Sequence, residues 1–170
     1  MKVVMGSVAK GYGLKMPIKA HLEARGHEVI DVGCYDTERF YKFPSVAERV
    51  AKALRDGVAE LGVNCCGSGT GAAICTNKYK GVCAVSCESI ETARLARVVN
   101  DANCLCMGES IVTPELGCGM ADAFLTATFR DMEGIPPEVL AFWKEARDEA
   151  YAAGLEPRER EIEILEEPKS

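Results

Sequence analysis

Apolar residues in this chain come in short blocks separated by polar, glycine-bearing joints, and the blocks alternate between two periods. Lys2-Val-Val-Met-Gly6 is a compact apolar run of strand length. Leu14, Ile18 and Leu22 then recur at helical spacing between Gly11 and Arg25, and Gly26 supplies a stop. Glu28 to Val32 predicts a second strand, Gly33 to Phe43 a polar loop with aromatics, and Pro44 to about Asp56 a helix closed by Gly57. Leu61 to Cys65 is too short for a helix and suits a buried parallel strand. It runs into the turn Cys66-Gly-Ser-Gly-Thr-Gly71 and a helix opening at Ala72. A strand near 81–85, a helix near 88–99, a strand near 103–107 and a helix from about 113 to 126 complete the series. Strands and helices alternating at this spacing predict an α/β fold: a five-stranded parallel sheet covered by helices on both faces.

Ile135-Pro-Pro-Glu138 restarts the chain after that unit. A C-terminal helix is expected, with Val139, Leu140, Phe142, Trp143, Ala146 and Tyr151 available for an apolar face. Beyond Gly154 the chain is rich in Glu and Arg, and an extended or weakly ordered arm is expected. The division is therefore a 1–128 α/β domain and a 129–170 helix and charged arm, expected to cross toward a second subunit. No repeat and no second domain are visible.

Composition narrows the partners. Hydrophobic residues make up 48% and charged residues 27% of the 170, as in an ordinary soluble domain. A net charge of −6 argues against nonspecific nucleic-acid binding, which needs clustered Lys and Arg. No apolar run approaches the ~20 residues that span a bilayer, and the N-terminus lacks a signal-peptide pattern. A cytoplasmic location without membrane contact is the expectation. Nine cysteines without a C-x-x-C pair, most of them in apolar runs, read as reduced packing thiols. With His21 and His27 as the only histidines, no metal site is expected. His21 reads as a helix-surface residue and His27 as a turn residue.

The chemistry concentrates at Cys66 to Gly71. Glycines at 67, 69 and 71 let the backbone turn tightly and bring its amides near a ligand. A strand ending in such a turn before a helix makes an anion cradle, and a purely structural turn is the competing reading. Adjacent strand residues point to opposite faces. Cys65 therefore reads as core, and Cys66, in the turn, as a candidate base or nucleophile. In a parallel sheet ligands sit beyond the C-terminal strand ends. The loops at Ser7–Lys10, Cys66–Gly71, Ser86–Glu88 and Gly108–Ser110 are thus expected to share one cleft.

Taken together, Gly6-Ser, Gly11-Tyr-x-Leu-Lys15, Gly26-His-Glu-Val-Ile-Asp-Val-Gly33, Cys66-Gly-Ser-Gly-x-Gly71, Asn77-Lys78 and Ala93-Arg-Leu-Ala-Arg97-x-x-Asn-Asp-Ala-Asn103 resemble the ribose-5-phosphate isomerase B and galactose-6-phosphate isomerase family. The resemblance spans roughly residues 1 to 128. It implies a Rossmann-like three-layer sandwich, a homodimer or dimer of dimers with sites shared between subunits, and aldose–ketose isomerisation of a sugar phosphate without cofactor. It implies Cys66 as the base that moves a proton between C1 and C2, and Ser68 as a hydroxyl near the sugar oxygens. Amides of Gly67 to Gly71 would hold the developing oxyanion, and Asn100 would bind substrate hydroxyls. Ser7 and Lys10 join the substrate-binding candidates.

This sequence also departs from the family pattern. Val8-Ala9 stand where Asp-His is usual, Val99 replaces a histidine associated with ring opening, and the phosphate-binding arginine segment is absent near Phe129–Glu133. Arg130, Lys10 and Arg39 are candidate replacements for that charge, with a solvated surface residue the competing reading for each. Two readings stay open: an isomerase of an atypical sugar phosphate, and a half-catalytic subunit completed by a homologous partner chain.

Overall fold

The computed structural model describes residues 1–165. Five strands form the parallel sheet: β1 (Lys2–Ser7), β2 (Glu28–Asp31), β4 (Leu61–Cys66), β5 (Ala84–Ser86) and β6 (Cys104–Gly108), in the order β2-β1-β4-β6-β5. Register is continuous across the centre: Met5 lies opposite Val63, and Val63 opposite Leu105. The helices are α1 (Tyr12–Ala24), α2 (Phe43–Arg55), α3 (Thr70–Thr76), α4 (Ile90–Asn100), α5 (Pro114–Thr126) and α6 (Pro137–Ala152). A short 3-10 turn, Ala9–Gly11, leads into α1. The fold is the expected Rossmann-like sandwich.

Alternation along the central strands builds two cores. Val3, Met5, Val63, Cys65, Leu105 and Met107 point to the face covered by α1, α4 and α5. Val4, Cys104 and Cys106 point to the face covered by α2 and α3. Runs apolar at every position are what a strand buried on both sides requires. The helix starts are set locally. Ser89 Oγ accepts the Thr92 amide at 3.1 Å, and Thr113 Oγ1 accepts the Leu116 amide at 3.3 Å, each satisfying an orphan donor of the first turn.

Three expectations change beyond the core. The polar loop after β2 contains a two-residue strand, β3 (Phe40–Tyr41), paired antiparallel with β7 (Ile164–Leu165). No residue of α6 is buried, and Phe142 is 63% exposed, so its apolar face is not a core face. α6 is held by polar contacts instead: Arg147 pairs with Asp101, and the Tyr151 hydroxyl donates to the Asp101 carbonyl at 2.6 Å. Residues 155–165, expected to leave toward a second subunit, run back along α2 of the same chain. Arg158 and Arg160 meet the buried Glu48 there, which is the physical reason for the course. Residues 166–170 of the expected arm lie outside the described residues.

Candidate active site

β4 delivers two adjacent thiols to the C-terminal edge of the sheet and separates their fates. Cys65 is fully buried toward α1, and burial drives its thiol far above the ordinary range. Cys66, one step on, is partly exposed and faces the α2 side. Two other thiols near this edge are closed off. Cys34 is fully buried, and burial raises its titration against the lowering effects of Ser7 and Lys15. Cys87 is 2% exposed and is pushed up to about 11 by burial. Cys66 is the thiol of this group that opens to a ligand.

The turn after Cys66 is locked from below. Glu109 and Ser110 donate their amides to the carbonyls of Cys66 and Gly67, at 2.9 and 3.0 Å. In a trans peptide the N–H points opposite its carbonyl, so the amides of Gly67 and Ser68 point away from the β6 loop. Gly69 takes φ +80°, and a Cβ there would lie 2.9 Å from the Met107 carbonyl carbon and the Ser86 hydroxyl. A side chain at Gly11 would collide with the backbone of Cys65 and Cys66. Glycine at these two positions lets the β1, β5 and β6 loops pack against the turn. The β5 and β6 loops do not line the hollow over Cys66, however, and Glu109 and Ser110 line a separate one, so the expected single cleft of four loops is not formed.

A hollow of about 200 Å³ opens over Cys66, lined by Val8, Ala9, Lys10, Phe40, Tyr41, Phe43, Cys66 and Gly67. The Tyr41 hydroxyl donates to Asp36 at 2.7 Å and accepts from Arg39 at 2.9 Å. Arg39 also pairs with Asp36 at 2.5 Å, so its charge is used within the loop. Of the candidate cations, Lys10 lines the hollow, whereas Arg130 lies beyond α5 in a left-handed backbone conformation.

Other candidates fall elsewhere. Ser7 is fully buried, its hydroxyl 3.4 Å from Cys34 Sγ, because β1 turns it inward, and it is not part of the hollow's lining. Ser68 is exposed and pairs with Thr70 at 2.7 Å, outside the hollow's lining. Gly71 packs its backbone beneath the Phe43 ring. Asn100 ends α4 at the opposite edge of the sheet. It lines a separate hollow of about 230 Å³ with Cys83, Val99, Phe142 and Trp143. Gly62 pairs with Cys104, so Cys66 stands four residues further along β4 than that end, roughly 13 Å at the usual strand rise.

Sequence reasoning missed the aromatic wall of the hollow. Phe40, Tyr41 and Phe43 stood in a loop without periodicity, and their clustering was the available signal. It also missed Lys15, fully buried, which places its ammonium 2.8 Å from both Asp31 oxygens and 2.6 Å from the Cys34 carbonyl. A lysine on a helix reads as solvent-facing until an acid on the neighbouring strand is known to meet it. His21 pairs with Asp122 on the α1–α5 surface, away from the hollow. No group of three or more His, Cys, Asp or Glu among the described residues is arranged to hold a metal. No helix among them is long and apolar enough to cross a membrane.

Comparison with known proteins identifies the family. The ribose/galactose isomerase family model matches residues 3–135. A 4-deoxy-4-sulfo-D-erythrose isomerase from Clostridium sp. (strain MSTE9) is 43% identical over 131 residues, 77% of this chain and 82% of that protein. Ribose-5-phosphate isomerase B of Escherichia coli is 40% identical over 128 residues, 75% of this chain and 85% of that protein. The solved ribose-5-phosphate isomerase B of Clostridium thermocellum superposes with a TM-score of 0.78 at 34% identity, covering 87% of this chain and 96% of that one. With the fold and most of the chain in common, this protein belongs to the ribose/galactose isomerase family of aldose–ketose isomerases.

Proposed function

We propose that the chain interconverts an aldose and a ketose of four carbons that bear an anionic group at C4 and stay open-chain in water. Cys66 Sγ takes the C2 proton of the aldose, leaving an enediolate, and returns it to C1, while the hydroxyl proton passes from O2 to O1. The amides of Gly67 and Ser68 hold the oxyanion as charge develops. Lys10, at the rim, faces the anionic end of the substrate.

The observation that carries this reading is the composition of the hollow. Beside Cys66 stand Val8, Ala9, Phe40 and Phe43, none able to move a proton; the Tyr41 hydroxyl is already committed to Asp36, and Lys10, the other titratable side chain of the lining, is assigned to the substrate's anionic end. Pentose 5-phosphates exist mainly as furanose rings and need a group that protonates the ring oxygen. At the position where the resemblance expects a histidine for that step, the chain has Val99. A four-carbon aldose whose C4 carries phosphate or sulfonate has no hydroxyl left to close a furanose. The relative named for 4-deoxy-4-sulfo-D-erythrose supports the same substrate class.

The test compares kcat/KM for erythrose 4-phosphate, its 4-sulfonate analogue and ribose 5-phosphate under one set of conditions. Missing acid–base help is worth about 10²–10⁴-fold, so a four-carbon substrate is expected to lead by that margin. A pentose phosphate turned over as well as either would sink the proposal.

A second reading has one observation in its favour. Asn100 stands at the far edge of the sheet from Cys66, so a site that uses both must draw Asn100 from another chain. That chain is a second copy or a homologous subunit.

A further inference from the structure

We propose that residues 155–165 form a strap that sets the shape of the Cys66 hollow from within the same chain, with Arg160 and Ile162 as positioning residues. The inference rests on the hollow being the site, and the family match, which ends at residue 135, does not extend to the strap.

The strap is fastened at both ends and along its length. Leu155 exchanges backbone hydrogen bonds with Lys78 and Lys80, each at 2.8 Å. Glu48, on α2, is only 2% exposed and receives the Arg158 amide at 3.1 Å and the Arg160 guanidinium at 2.9 Å. A carboxylate this buried is costly to leave without a counter-charge, so the strap is tied where α2 needs it. Arg160 also pairs with Glu163 at 2.5 Å, and the Glu163 amide donates to Ser45 Oγ at 3.1 Å.

The far end of the strap reaches the pocket wall. Lys42 donates its amide to the Glu163 carbonyl at 2.8 Å, and β7 pairs with β3. β3 has β7 as its only strand neighbour among the described residues. Phe40 and Tyr41, the whole of β3, line the hollow over Cys66. Ile162 seats on Gly33, where any added side chain would collide with it. The strap therefore pins the 33–43 loop near its start and at its end, and that loop is the aromatic side of the hollow. Two residues of strand do not hold a position unaided; the strap supplies the missing edge.

The experiment measures alkylation of individual cysteines by iodoacetamide, read by peptide mass spectrometry on full-length protein. The variants are Ile162→Asp, Arg160→Ala and Arg160→Lys. Ile162→Asp places a carboxylate between Glu161 and Glu163 while leaving Glu48 paired, so it guards against a folding defect in Arg160→Ala. Loosening the wall is expected to speed Cys66 alkylation about fivefold or more in Ile162→Asp and Arg160→Ala. Cys118, half-exposed on α5, keeps its rate, and Arg160→Lys recovers most of the protection. With erythrose 4-phosphate, KM rises about fivefold and kcat stays within about twofold. Unchanged Cys66 reactivity in Ile162→Asp, or a rise matched at Cys118 and Cys65, would overturn the proposal, since a strap that only stabilises the fold moves all thiols together. If wild type does not turn over erythrose 4-phosphate, the substrate reading fails, and the alkylation rates still decide the strap.

Discussion

Cys65 and Cys66 are chemically identical and differ by one step of a strand, which is enough to give them opposite environments. Alternation sends Cys65 into the core between β4 and α1 and leaves Cys66 at the mouth of the hollow. Cys66→Ala is expected to abolish isomerisation and solvent exchange of the substrate's C2 hydrogen while the melting temperature holds. Cys65→Ala is expected to keep turnover and lose about 1 kcal/mol of stability, the usual scale for trimming a small buried group. Full activity in Cys66→Ala would remove the base assignment. The choice between the two thiols was legible from sequence because period-2 alternation is local. The burial of Ser7 was not: its environment comes from Cys34 and Gly33, 26 or more residues away.

At the scale of elements, the 33–43 loop shows how a segment without periodicity gains structure. Asp36, Arg39 and Tyr41 knit it together, and the Arg39 hydrogen bond, followed by that of Tyr41, holds the Asp36 carboxyl down at about 2. A carboxyl depressed in the folded state contributes stability above its unfolded value, about 3.9, and loses it as pH falls through the folded value. The tether therefore persists at neutral and mildly acidic pH and releases between about pH 4 and 2. Carboxyl-resolved NMR titration is expected to place the Asp36 midpoint near 2, with Arg39→Ala moving it up further than Tyr41→Phe. A midpoint near the ordinary carboxylate value in wild type would show that the cluster is not formed in solution. The helices and the five strands of the sheet, by contrast, were readable to within a few residues, because each carries its own periodicity and stop signals. β3 and β7 were not, since two residues make no pattern.

For the whole molecule, Cys66 and Asn100 lie at opposite ends of the sheet, so a reaction that used both would need two chains. A two-fold dimer would bring the α4 end of one chain over the Cys66 hollow of its partner, and the exposed Phe142 beside Asn100 gives such a contact apolar area. Mixing inactive Cys66→Ala with inactive Asn100→Ala is then expected to restore activity. Half the dimers of an equal statistical mix are mixed, each with one intact site, which gives about a quarter of the wild-type rate. No recovery after subunit exchange, verified by light scattering and mass labelling, would place both residues' roles within single chains or remove Asn100 from the reaction.

Sequence alone determined the sheet, its helical layers and the position of the Cys66–Gly71 turn, because alternation, helical spacing and glycine stops act between near neighbours. It also placed the missing proton donors, since Val8, Ala9 and Val99 lack the atoms whatever surrounds them. Only the tertiary structure decided which of the candidates share a cavity. Lys10 joins Cys66, Ser7 at the same end of β1 is turned inward and sealed away, and Asn100 goes to the opposite sheet edge, where α4 ends. It also turned the acidic, arginine-bearing tail into a strap. A buried Glu48 on α2 and an unpaired two-residue strand lie more than 100 residues from the Arg160 and Ile164 that complete them, and no local pattern encodes a partner at that distance.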